Sequence, residues 1–317
     1  MVYVRVTGRL LINVHTANAE GAVGNYMALS KMFIVRRVNG NYEVQEEPVI
    51  SGNMIKHWHA VATTEILKSW GYEAICNGCK RHVMYRSTLG MNEEYDYVKE
   101  CAIEDLHGFL DAEKQIRRES LVKFSFMIPV EEQRSEFSSI THNRVVIDKE
   151  GKIPKGEQAM MLMKREHASG IYGFLCSMDL AFTGVSIANP EKKLPQNDRK
   201  IRAKAAIAAL TDLFSGRFGA AQARASPIIK ALELACVGSR KPIPNAVHGF
   251  YRDYADDTAS VIKAVVSQGL IEENEMKIAV MGERLTVAFK ERGIPIDEVK
   301  TASEAVAKLV EASDQWL

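Results

Sequence analysis

Three patterns in the 317-residue chain predict an α+β fold of four core strands and two helices. Val2, Val4, Val6, Gly8, Leu10, Ile12 and Val14 share one parity, the period of a long first strand. Ile55, Trp58, Ala62, Ile66 and Trp70 recur at helical spacing and place a stripe against a core, with Gly71 as a left-handed stop. Alternating runs at Val122 to Val130 and Tyr172 to Phe182, a helical run from Ile201 to Phe214 and a last strand, Ile228 to Val237, complete the set. The order is strand, helix, strand, strand, helix, strand, the split arrangement of ferredoxin-like and RNA-recognition-motif folds, modified here by large insertions.

The elements follow in order. The second face of the first strand (Tyr3, Arg5, Thr7, Arg9, Leu11, Asn13) is mostly polar, either a ligand-reading surface or the wet side of a half-covered sheet. A loop of small and polar residues, His15 to Asn25, permits close approach of a ligand but spells no P-loop or dinucleotide fingerprint. Met32 to Val38 and Tyr42 to Glu46 flank Asn39-Gly40, a hairpin turn of the primed type. After the first helix, Tyr72 to Asn92 is poorly patterned and Tyr95 to Leu110 reads as helical. Ser138 to Ile147 reads as one arm of a projecting hairpin that turns near Glu150-Gly151 and ends in the Met160 to Met163 cluster. Asn197 and Asp198 are placed to cap the second helix, which Gly216 ends; beyond it, helices alternate with one strand, Lys277 to Val280. The expected organisation is a single elaborated domain. Its core draws on about 1–70, 120–130 and 170–240, with a helical and loop insertion at 71–119, a thumb-like insertion at 131–169 and a C-terminal α/β extension at 241–317.

Composition narrows the function classes. Hydrophobic residues at 46% and charged residues at 26% describe an ordinary globular protein, and a formal net charge of +1 does not advertise a nucleic-acid binder. Any basic surface must be local. Acidic residues crowd Glu93 to Glu113, whereas Lys192, Lys193, Arg199, Lys200, Arg202 and Lys204 face only Asp198 between them. The basic residues at the start of the second helix sit at the wrong end for its dipole, which hints at an anionic partner or marks simply solvated lysines. Five cysteines with neither an apolar leader nor a long apolar run point to an intracellular, cytoplasmic protein with reduced thiols and no membrane partner. Cys76-x-x-Cys79 with His82 nearby invites a zinc reading. Its nearest further ligands, Cys101 and His107, fall in a helical acidic segment without ligand-pair spacing, so a plain loop with thiols is preferred and neither metal nor cofactor is expected.

The junction Ile50 to His59 is the strongest candidate site. A helix start leaves N–H groups unpaired and partly positive, so a phosphate can lie against Ser51, Gly52 and Asn53, with Lys56 and His57 off the apolar stripe beside it. Ser51 or Asn53 as a simple cap with a solvated Lys56 is the blander alternative.

Five stretches together resemble a known family: Gly8 to Asn25, Val49 to Ala60, Glu104 to Leu110, Ser138 to Val145 and Thr183 to Lys193. The chain resembles the Cas-seven or DevR-like backbone subunit of archaeal type I-A CRISPR interference complexes (Cascade). That resemblance implies a modified RNA-recognition core with a thumb hairpin, many copies of which line up helically along one CRISPR RNA. Partners implied are that RNA, target DNA through the guide, further copies of the chain and other subunits of the complex. Ser51, Gly52, Asn53, Lys56 and His57 would then meet phosphates; Thr141, His142, Asn143 and Arg144 would belong to the thumb or its root; Arg9 and Asn18 are weaker additions. The resemblance implies no catalysis. The alternative is a metal-independent endoribonuclease using His57, His59, His142 or His167 as acid or base. The glycine-rich C-terminal loop of CRISPR RNA-processing endonucleases is missing from the sequence.

Overall fold

The computed structural model describes residues 2–316 except 17, 146, 148, 153–159, 220, 221 and 224, and at 19–23, 144, 160 and 161 the backbone only. The chain begins with β1 (Tyr3–His15), β2 (Ala19–Val23), β3 (Tyr26–Leu29), β4 (Lys31–Val38) and β5 (Asn41–Pro48), then helix α1 (Gly52–Ser69). Short helices α2 (Asn77–Lys80), α3 (Glu94–Glu100) and α4 (Ala102–His107) lead to β6 (Phe109–Asp111), β7 (Ile116–Arg118), β8 (Val122–Phe124) and β9 (Ile128–Pro129). The long strands β10 (Glu136–Val145) and β11 (Met160–Asp179) precede α5 (Gln196–Ala208), α6 (Leu210–Phe214) and β12 (Ile228–Ser239). The C-terminal part adds α7 (Tyr254–Ser267), β13 (Met276–Met281), α8 (Glu283–Glu291), β14 (Asp297–Glu298) and α9 (Ala302–Trp316).

One mixed sheet organises the molecule. β1 lies at its centre, antiparallel to β11 on one side and β12 on the other, with Val6 opposite both Cys176 and Cys236. β8 and β9 pair with the far edge of β11, and β13 then β14 extend the sheet beyond β12. One face, bearing Val4, Val6, Leu10 and Ile12, packs on α1, α5, α6 and α9 in the main core.

The other face of β1 is neither wet nor open to a ligand, because the C-terminal part covers it. Arg5, Thr7 and Arg9 are all buried. Arg5 reaches the carbonyl of Ile243 (3.0 Å), the Thr7 hydroxyl donates to that of Val247 (2.6 Å), and Arg9 donates to those of Gly249 and Tyr251 (both 2.8 Å). Glycine makes the approach possible. A Cβ on Gly173 would stand 2.1 Å from the Phe250 nitrogen, and one on Gly249 would stand 2.1 Å from the Gly8 carbonyl oxygen, so segment 249–250 rests with its backbone directly on the sheet.

The charge segregation in the sequence also resolves internally. Lys192 pairs with Glu93, Arg202 is fully buried against Asp105 at 2.9 Å, and Lys204 pairs with Asp314. Arg199 donates to the carbonyls of Thr183 and Ala181. Lys192 and Arg202 of this basic run thus meet the chain's own acidic segment, while Lys200 and Lys204 reach Asp314 near the C-terminus.

Local details differ from the sequence expectation in several places. The helix expected over Tyr95 to Leu110 is α3 and α4, broken at the extended Cys101, with Phe109 and Leu110 already in β6. The strand expected over Val122 to Val130 is two strands, because the Ser125 side chain accepts from the Leu175 N–H and Met127 turns to bridge Ile50. The strand expected to run to Phe182 stops at Asp179, where a 3-10 turn takes over. Asn197 and Asp198 sit inside the first turn of α5 rather than capping it, and the helix breaks at Ala209. The stripe of α1 is centred on Ile55, His59, Ala62, Thr63 and Leu67, leaving Trp70 46% exposed. Gly71 does stop that helix: its φ is +71°, with Gly71 N–H to Lys68 and Tyr72 N–H to Leu67 completing a Schellman cap. Asn39 and Gly40 both take positive φ, as the primed hairpin turn between β4 and β5 requires. All five cysteines are free and buried, and among the described residues no helix is long and apolar enough to cross a membrane.

Candidate nucleic-acid interface

The start of α1 is held from three sides. Ser51 is its N-cap, extended at φ −70° and ψ 140°, and its hydroxyl oxygen accepts from the Met54 N–H. Asn18 Oδ1 accepts from both the Ser51 N–H (3.0 Å) and the Ser51 hydroxyl (3.2 Å). Gly52 is required sterically, since a Cβ there would lie 2.2 Å from the Phe124 carbonyl oxygen. Asn53 is exposed, and Lys56 and His57 are half-buried on the next turn. The first-turn N–H groups of a helix have no carbonyl partner within it, so this end attracts negative charge.

Lys56 opens on a cleft of 520 Å³ that it shares with Met84, Tyr85, Arg86, Ser87 and the Gly108–Leu110 segment. Burial, then the nearby Arg86 charge, pushes the Lys56 ammonium below its ordinary pKa. His57 is lowered by burial first, then by Arg86 and His82. Cations therefore crowd one another here, and among the described residues Lys56 has no ion-pair or hydrogen-bond partner. An anion in the cleft relieves that repulsion. Arg86 and Tyr85, the latter 70% exposed, were not among the sequence candidates. Arg86 falls in the poorly patterned stretch Tyr72 to Asn92, and nothing in the spacing ties it to Lys56.

The remaining candidates sit elsewhere. Thr141, His142 and Asn143 lie on β10, opposite Lys164, Met163 and Leu162 of β11, in a hairpin running from Glu136↔Ser169 to Val145↔Met160. Thr141 and Asn143 are exposed, while the His142 ring lies 6.2 Å from that of His167. The Arg144 side chain lies outside the described residues, as do 153–159 of the insertion. Hydrogen bonds link hairpin and helix: β11 pairs with β3 at Lys164 and Arg165, Ser30 just beyond β3 donates to the Asn18 carbonyl, and Val49 donates to that of Ser30. Arg9 does not join the group. It is buried on the covered face, bonded to Gly249, Tyr251 and Glu132 and stacked 5.0 Å over the Tyr254 ring. His59 is fully buried, with Nδ1 2.9 Å from His107 and Nε2 2.8 Å from the Ala206 carbonyl, which removes it from any strand lying in the cleft.

A capped helix start and an unpaired lysine thus stand beside an open cleft, with hydrogen bonds linking that helix start to a long hairpin. The family model described as "CRISPR-associated negative auto-regulator DevR/Csa2" matches residues 6–259. The chain is 34% identical to the CRISPR-associated protein Cas7/Cst2/DevR of Methanocaldococcus jannaschii, over 98% of this chain and 99% of that one. It is 25% identical to the CRISPR-associated aCascade subunit Cas7/Csa2 2 of Saccharolobus solfataricus, over 95% and 96%. A chain of a CRISPR RNA-guided surveillance complex in a pre-nicking state shares the fold, with a TM-score of 0.54 at 10% identity, covering 98% of this chain and all of that one. The protein thus belongs to the DevR/Csa2 family of Cas7-type CRISPR-associated proteins.

Proposed function

We propose that this chain is a non-catalytic backbone subunit of a type I-A CRISPR interference complex, binding the CRISPR RNA by its sugar-phosphate chain and meeting target DNA through that guide. The observation that carries the reading is the unpaired Lys56 beside the Ser51-capped start of α1. Phosphate contacts of this kind hold a strand in register without reading bases. The strand order β12, β1, β11, β8, with α1 and α5 as crossovers, supports a ferredoxin-like, RNA-recognition-type core. Because the face that would stack bases is covered, the RNA lies at the helix start and the β2–β3 edge instead.

In this reading the β10–β11 hairpin reaches a neighbouring copy, and repetition of that contact builds a helical filament along the guide, to which other subunits of the complex attach. The match to a relative named as an aCascade subunit supports membership in such a complex. The test is purification from the expression host, reading the ratio of nucleic-acid to protein absorbance and the solution mass before and after nuclease and high salt. A large, salt-labile particle with RNA of mixed sequence is expected; a small RNA-free particle that also ignores added CRISPR RNA would overturn the proposal.

A further inference from the structure

The poorly patterned segment after α1 closes on a cluster that the sequence left incomplete. Cys76 stands at the N-cap of α2 and Cys79 within that one-turn helix, so the turn presents both sulfurs on one side. Cys101, at the junction of α3 and α4, is brought onto them, and a backbone bond from the Ala102 N–H to the Ala74 carbonyl (2.9 Å) fastens the two segments together. The three sulfurs lie within 4.8 Å of one another, and the residues are 8%, 0% and 0% exposed. In a tetrahedral zinc site with bonds of about 2.3 Å the sulfurs stand about 3.8 Å apart, so only a small contraction separates this cluster from a metal-bound one. Cysteines packed merely as small apolar side chains have no need to converge sulfur to sulfur from two parts of the chain.

We propose that Cys76, Cys79 and Cys101 bind a structural zinc ion, with the Glu104 carboxylate as fourth ligand. Glu104 is fully buried one turn beyond Cys101, outside the 4.8 Å group of the three sulfurs, and its Oε2 has no hydrogen-bond partner among the described residues, so a shift of this side chain would complete the set. Of the two other candidates from the sequence, His82 is committed to Glu65 at 2.6 Å, and His107 engages His59 through Nε2 while its buried Nδ1 has no hydrogen-bond partner among the described residues. Three thiolates and one carboxylate around Zn²⁺ leave a net negative charge, and the Arg86 guanidinium, within electrostatic reach of Cys79, Cys101 and Glu104, offsets part of it. Soft thiolates in a closed tetrahedral set favour zinc over magnesium or calcium. The ion would pin residues 75–84, where the only regular element is a four-residue helix, to the body of the protein.

The experiment is metal analysis of the full chain purified under reducing conditions. Close to one zinc per chain is expected, released in step with mercurial titration of three thiols and detected with a chromogenic chelator. Cys79→Ser and Cys101→Ser should lower zinc content at least tenfold, Cys236→Ala should leave it unchanged, and Glu104→Gln should weaken retention about tenfold. Should a variant fail to fold, the wild-type protein decides alone: Co²⁺ added after zinc removal should produce a thiolate-to-cobalt charge-transfer band. A zinc content near zero with no cobalt band, or a Cys76–Cys79 disulfide in the protein as purified, would overturn the site. Unchanged zinc retention in Glu104→Gln would overturn the fourth ligand.

Discussion

Asn18 Oδ1 accepts two hydrogen bonds from Ser51, one from its backbone N–H and one from its hydroxyl, and so ties the β1–β2 loop to the N-cap of α1. Two substitutions separate its structural from its electrostatic part. Asn18→Ala removes the one oxygen that accepts both bonds and should cost about 1 kcal/mol in urea unfolding. Asn18→Asp keeps the acceptors and adds a negative charge that a helix start tolerates, so stability should stay within about 0.5 kcal/mol of wild type. The same added charge repels phosphate, and RNA affinity should fall roughly fivefold, as read by filter binding. Equal RNA affinity in Asn18→Asp and wild type would place the strand away from this loop.

The acidic and basic segments that look independent in the sequence meet at Asp105. Its two oxygens accept from Arg118 (2.7 Å), Arg202 (2.9 Å) and the Gly184 N–H, all buried. Asp105→Ala leaves two guanidinium groups without their shared counter-charge, and the expected loss is about 3–5 kcal/mol in denaturant unfolding. A loss below about 1 kcal/mol would mean that the arginines find other partners.

The parity of β1 and the two arms of the β10–β11 hairpin were legible because each rests on local periodicity. What covers the second face of β1 was not. Arg5, Thr7 and Arg9 read as a wet or ligand-reading surface because their partners, the carbonyls of Ile243, Val247, Gly249 and Tyr251, lie more than 230 residues away and are backbone groups with no sequence signature. The helix start was legible from Ser51 to His57, since capping chemistry is local. Arg86 was not, because its approach to Lys56 depends on how a loop with little regular structure folds back over α1. Cys101 was named beside Cys76 and Cys79 but set aside for want of ligand-pair spacing, because only the fold brings its sulfur to theirs.

Acid should weaken the fold through buried histidines. Burial lowers His59 from 6.5 to about 4 and, with the His167 charge as a second cause, His15 to about 3; His107 is lowered too, by burial and then by His59 and Arg86. The unfolded chain therefore takes up protons first. Their contribution is fully present above pH 6.5 and is lost progressively as pH falls from there toward 4. Each group can contribute up to about 1.4 kcal/mol per pH unit, so the urea midpoint should drop clearly between pH 7 and pH 5. A midpoint unchanged over that interval would show that these imidazoles reach solvent.

Salt dependence of RNA binding by Lys56→Gln tests the central claim most directly. If Lys56 meets a phosphate, affinity should fall about tenfold alike for RNAs of unrelated sequence, and the slope of log K against log salt should shrink by about 0.7. An unchanged affinity together with an unchanged slope would contradict the proposal that the start of α1 holds the RNA backbone.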